Sequence, residues 1–248
     1  MSYAPFDIET IPSQEISPEM LETFAETVKT GNIKDQAKID EKVNKKLGTD
    51  KDMCQVCTFV GHAHTKETVI KRVLQWPPLD EEYEVVSGAW DFIKHAYNQK
   101  IPLVTFNGNG FDLPVLYTAA MRLDIPVSRS MYEAITYRYE NDRHYDLMRS
   151  LTGEVHPVTG KSLDFYLGLY KLGSKTPGMD GSLVYPAWKN GEYKLISDYC
   201  EQDVEMTGAL FERVSPWIRK ANDTDDEKVV IDEEDQKKLD EAPWEDAK

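Results

Sequence analysis

Apolar and polar side chains alternate from Phe6 to Thr10 (Phe-Asp-Ile-Glu-Thr), a period of two that predicts a β-strand. Phe6 and Ile8 fall on one face, Asp7 and Glu9 on the other, with the two carboxylates about 7 Å apart. A helical period takes over in residues 18–29, entered through Ser17 and Pro18, and again in residues 33–47, which stop at Gly48. Residues 54–60 and 68–74 are rich in β-branched side chains and predict strands. Val86, Trp90, Ile93 and Tyr97 line one face of a helix over 81–98, and the apolar run 101–106 suits a buried strand. Asn107-Gly108-Asn109-Gly110 reads as a turn whose glycines take positive φ. Helices over 114–123, 163–170 and 195–217, a strand near 144–148 and a loop over 173–181 complete the pattern. On the last helix Ile196, Cys200, Val204, Phe211 and Val214 form the core-facing stripe, with Tyr199 and Asp203 at its margin. Strands and helices alternate, which gives an α/β class.

Charge changes this picture in two places. The chain of 248 residues carries a net charge of −15, so a non-specific nucleic-acid coat is excluded and any polyanion must be met by a local basic strip. Residues 221–248 hold twelve acids and four lysines, a net −8, and read as a disordered tail after a folded domain over 1–220. Residues 13–52 read as a helical insertion. Lys34, Lys38, Lys42 and Lys45 share one face of its second helix, opposite Ile39, Val43 and Leu47. That face is either an ordinary solvated surface or an arm that touches a phosphate backbone. The absence of an apolar run near 18 residues predicts a soluble, cytoplasmic protein with no membrane partner.

Three cysteines, an odd number, do not make a disulfide framework. Cys54 and Cys57, with His62 and His64 downstream, have a zinc-like spacing. They lie in a predicted strand, however, where positions three apart face opposite ways, so a structural zinc site is not expected.

Each acid has an ordinary reading alone: Asp7 and Glu9 on an exposed strand face, Asp112 as a helix N-cap, Asp203 on a solvated helix face. The set reads differently, because a first strand, a strand-to-helix turn and a late helix can converge at one end of a sheet. The motifs Asp7-x-Glu9-Thr10, Asn107-x-x-x-Phe111-Asp112 and Tyr199-x-x-x-Asp203 resemble the three motifs of the DEDD superfamily of 3′–5′ exonucleases. Tyr199, four residues before the last Asp, resembles the tyrosine branch. His144-x-Asp146-Leu147, the Gly178–Val184 loop and Tyr199-Cys200-Glu201-x-Asp203-Val204 are similar to stand-alone relatives of the proofreading domain of family-B DNA polymerases.

That resemblance implies a ribonuclease-H-like fold, a central mixed sheet flanked by helices. It implies that Asp7, Glu9, Asp112 and Asp203 bind two Mg²⁺ or Mn²⁺ ions, and that Tyr199 orients the attacking water. Asn107, Phe111, Thr10 and Lys175 become substrate contacts. The substrate is expected to be a single-stranded 3′ end, DNA ahead of RNA, with a replication or repair protein as partner. A catalytically inactive nucleic-acid- or polymerase-binding module of the same fold is the alternative.

Overall fold

The computed structural model describes residues 1–31, 33–137, 142–153, 160–174 and 179–218. Its centre is a five-stranded sheet in the order β3-β2-β1-β4-β5, built from β1 (Ala4–Pro12), β2 (Cys54–His64), β3 (Val69–Gln75), β4 (Leu103–Thr105) and β5 (His144–Asp146). Strands β1, β2 and β3 are antiparallel, whereas β1, β4 and β5 run parallel. The opening strand therefore sits in the middle, between an antiparallel hairpin and a parallel pair.

The alternation of β1 decides what lies on each side. Ala4, Phe6 and Ile8 enter the main apolar core. That core is covered by α3 (Glu82–Asn98) and α4 (Asp112–Arg122). Phe6 and Phe59 stack at 5.8 Å in its centre, and full burial of such a ring is worth about 1.5–3 kcal/mol. Trp90 on α3 donates its indole N–H to the Leu116 carbonyl on α4, which fixes the two helices together. Buried Glu82 in the first turn of α3 pairs with Arg122 at 2.8 Å and also accepts from the Val56 N–H, tying α3 to both α4 and β2.

On the other side of the sheet lies the long α9 (Tyr193–Ile218). Its predicted stripe of Ile196, Cys200, Val204, Phe211 and Val214 is buried. Ile11 packs against Ile196 and against Val184 and Ala187 of α8 (Val184–Lys189). A β-bulge between β1 and β2 places Glu9 opposite Thr58 but Thr10 opposite Val56. Cys57 is the extra residue, and it reverses the phase of β2. Val56 joins the α3 side while Cys57 turns to the α9 side, beside Ile11. Cys54 and Cys57 consequently face opposite ways and are free thiols.

The insertion holds α1 (Pro18–Thr27), capped by Ser17, and α2 (Gln36–Leu47), capped by Asp35. Asp35 competes for the role that the apolar period assigned to Ile33, so Lys34 precedes the helix. Val43 and Leu47 are buried, and no residue of α1 is. Three short helices were not expected from the pattern: α5 (Arg129–Thr136), α6 (Leu147–Leu151) and α8, with a 3-10 turn (Gly181–Leu183) leading into the last. Between α6 and that turn lies α7 (Leu163–Leu169), close to its expected bounds. The strand expected near 144–148 ends at Asp146, whose side chain accepts from the Arg149 N–H and starts α6. No described helix is long and apolar enough to cross a membrane.

Candidate active site

Asp7 and Glu9 leave β1 toward α9, and Asp112 opens α4 immediately after the turn that ends β4. β4 runs parallel to β1 and stops about level with Phe6, since Val104 pairs with Pro5, so the turn after β4 brings Asp112 beside Asp7, while α9 crosses above both strands. The four acids are thereby gathered. Asp112 is hydrogen-bonded to Asp7 and to the Ile8 backbone between the two β1 acids. Tyr199 is hydrogen-bonded to Asp203 and lies in the electrostatic reach of Glu9 and Asp7. Glu9, Asp112, Asp203 and Tyr199 are all at most 9% exposed, and Asp7 is half-buried.

Cys200 stands at the centre of this group. Its thiol donates to Asp7 Oδ2 at 3.8 Å, and donor atoms of Asp7, Glu9 and Cys200 lie within 4.8 Å of one another. Burial first, then the charges of Asp7, Glu9, Asp203 and Asp112, push the Cys200 pKa well above the usual thiol range. It is a neutral thiol here. Periodicity placed Cys200 in the core stripe, which is correct, but gave no sign that the stripe borders the acids.

Burial pushes the Asp112 carboxyl up to about 7, with the nearby Asp146 adding to the rise and hydrogen bonds opposing it. Its Oδ1 is buried without a hydrogen bond. A buried carboxylate oxygen of that kind is costly unless a cation or proton meets it. Hard oxygen donors from several carboxylates are the ligand chemistry of Mg²⁺ and Mn²⁺, so the residues present fit that class of ion. Desolvation and the charges of Asp203, Glu9 and Asp7 raise Tyr199 far above the usual phenol range, so its hydroxyl stays protonated.

The turn before Asp112 is held by Asp146, whose two carboxylate oxygens each accept from a backbone N–H, of Asn107 and of Asn109, at 3.0 Å. Positive φ falls on Asn107 (71°) and not on Gly108 or Gly110, contrary to expectation. The glycines serve close approach instead. A Cβ at Gly108 would meet Thr105 Oγ1 at 2.2 Å, and one at Gly110 would meet Asn107 Oδ1 at 2.4 Å. The Thr105 hydroxyl accepts from the Gly108 N–H and pairs with His144 Nε2 at 2.7 Å, while His144 Nδ1 pairs with the Ile135 carbonyl at 3.1 Å. His144 and Asp146 thus position the turn. The His-x-Asp-Leu motif was their signal in the sequence, without a role attached.

Of the expected substrate contacts, Asn107 and Phe111 flank this turn, with Phe111 half-buried against the α3/α4 core. Thr10 donates its hydroxyl to the Gly48 carbonyl at the end of α2. Lys175, with residues 138–141, lies outside the described residues. Nearby, Arg149 is buried, Arg143 lies over the Tyr97 ring, and Tyr132 stacks on Tyr117 at 3.9 Å. These side chains serve packing more than a binding surface.

Residues 50–236 match a family described as a predicted 3′–5′ exonuclease related to the exonuclease domain of PolB. The chain belongs to this family. The match covers three quarters of the sequence, takes in Asp112, Tyr199 and Asp203, and extends beyond residue 220. Asp7, Glu9, α1 and α2 precede it. A protein named DNA polymerase from Pyrococcus horikoshii is 24% identical over 156 residues, 56% of this chain. The chain covers 12% of that protein's length. The mixed sheet flanked by helices is consistent with the ribonuclease-H-like exonuclease fold.

Proposed function

We propose that this protein is a metal-dependent 3′–5′ exonuclease that removes nucleotides from single-stranded 3′ ends, DNA ahead of RNA. One observation carries the reading: carboxylates from β1, α4 and α9 converge in a buried site in which Asp112 Oδ1 has no hydrogen-bond partner. Membership of the exonuclease family supports it.

Asp7, Glu9, Asp112 and Asp203 would hold two Mg²⁺ or Mn²⁺ ions. Bound there, such ions acidify an attacking water and offset the charge that develops on the departing 3′ oxygen. The chain's own residues supply position. Tyr199, held protonated beside Asp203, can donate a hydrogen bond but cannot act as a base near neutral pH, so its role is to orient the water. Asn107, fixed through its backbone by Asp146, can hydrogen-bond the strand, and Phe111 offers a ring edge to the terminal nucleotide. Thr10 supports this end of β1 through Gly48, and Lys175 is assigned to the phosphate backbone. Replication or repair of DNA is the setting that such an activity fits.

The test is a 5′-labelled single-stranded DNA, and its RNA counterpart, incubated with Mg²⁺, Mn²⁺ or chelator. The expected outcome is a ladder that shortens from the 3′ end only with metal and disappears in Asp7→Ala. Cleavage that persists in that variant or in chelator would overturn the assignment.

A further inference from the structure

The insertion between β1 and β2 carries positive charge that the protein does not use internally. In a chain of net charge −15, several described surface cations elsewhere are paired with acids: Lys71 with Glu201 and Glu205, Lys194 with Asp198, Arg129 with Glu133. On α2 and just ahead of it, Lys34, Lys38, Lys45 and Lys46 are exposed and form neither an ion pair nor a side-chain hydrogen bond. Lys42 is occupied, donating to the Lys29 carbonyl just after the end of α1. Lys38 and Lys45 lie two turns apart on one face, about 10 Å along the axis, with Lys46 beside Lys45.

The position of this face is fixed relative to the carboxylates. Val43 and Leu47 anchor α2 from the opposite side, and the Thr10 hydroxyl holds the Gly48 carbonyl. Thr10 is the next residue after Glu9, so this hydrogen bond tethers the C-terminal turn of α2, with Lys45 and Lys46, to β1 one residue along the strand from a site carboxylate. Both helices of the insertion, α1 and α2, also precede residue 50, where the family match begins.

We propose that the α2 lysine face is a binding track for the phosphate backbone of a single strand, engaging nucleotides upstream of the 3′ end held in the active site. The proposal rests on the exonuclease reading above. Charge complementarity selects the occupant: a row of unpaired cations beside an otherwise acidic site suits a polyanion, and an acidic protein surface of its own kind would be repelled elsewhere. The track would matter for long strands and be irrelevant to a substrate too short to reach it.

The experiment compares the full-length wild-type protein with a triple variant, Lys38→Gln, Lys45→Gln and Lys46→Gln, which leaves the Lys42 hydrogen bond in place. Binding of 5′-fluorescein-labelled (dT)20 is followed by anisotropy in Ca²⁺ over a salt series, and hydrolysis of the dinucleotide dTpdT is followed in Mg²⁺. The expected result is an affinity for (dT)20 lowered about tenfold and a log–log salt slope lowered by about 2, from three phosphate contacts at ~0.7 each. Dinucleotide hydrolysis should be unchanged, Arg at the three positions should restore binding, and Lys94→Gln on α3 should have no effect. Equal affinity and slope in the triple variant would overturn the track while leaving the exonuclease standing. Failure of the wild-type protein to hydrolyse either substrate would instead remove the exonuclease reading, and the track with it.

Discussion

The two faces of β1 are built from one strand and behave as opposites. Phe6 and Ile8 pass into the α3/α4 core, where burial costs nothing polar and every contact stabilises. Asp7 and Glu9, one residue out of phase, meet Tyr199, Cys200 and Asp203 on α9, where carboxylates crowd together out of water. The apolar face offsets the cost of the acidic one, and stability and activity should respond to mutation in different directions on the two sides.

The strongest contrast should come from Asp7→Ala. Its exonuclease rate is expected to fall on the order of 10³-fold or more while the urea midpoint holds or rises. Phe6→Ala, on the adjacent position but the other face, should cost about 3–5 kcal/mol of stability, measured by urea unfolding. A Phe6 variant as stable as the wild type would break the division between the faces.

Asp112→Asn sharpens the same point through pH. The carboxyl's folded-state value is raised to about 7, so the folded protein keeps a proton that the unfolded chain loses near 4. Stability from this group is therefore full at low pH and is lost as pH rises through 7. In chelator at about pH 8, the Asn variant should be more stable than wild type by about 2–4 kcal/mol, with the gain shrinking by roughly half near pH 5. A gain independent of pH would assign the effect to something other than the buried charge. Smaller again is Asp146→Ala, which strips the partner from the Asn107 and Asn109 N–H groups and from the start of α6. It should cost about 1–3 kcal/mol and lower the rate by displacing Asp112, with the KM for a dinucleotide little changed. An unchanged rate would show that the turn holds its shape without the clamp.

How far the fold could be read in advance follows from what each signal depends on. The β1 alternation, the α9 stripe and the β2 strand through Cys54 and Cys57 are local patterns, and they emerged close to their expected places. The four acids were legible because their motifs fix residue types at short spacing. Short α5, α6 and α8 were not, since one or two turns carry too little periodicity to separate from a loop, and their start depends on single caps such as Ser128 and Asp146. The positive φ went to Asn107 because the glycines were needed for contact with Thr105 and Asn107, a demand set by packing across the sheet end. Cys200 was placed correctly as a core residue, but its closeness to Asp7 depends on how α9 lies across β1, which no stretch of sequence records.

The extra residue in β2 has a consequence of its own. Cutting Cys57 out would let Val56 run directly into Thr58, and plain alternation would be restored along the whole strand. The sheet would gain regularity from such a deletion. Its neighbours would not, because Cys57 fills the space beside Ile11 and Ile196 and donates its thiol to the Glu9 carbonyl at 3.4 Å. In this molecule the irregular strand is what keeps a wedge under one of the acids, and the most orderly version of β2 would leave Glu9 on a looser floor.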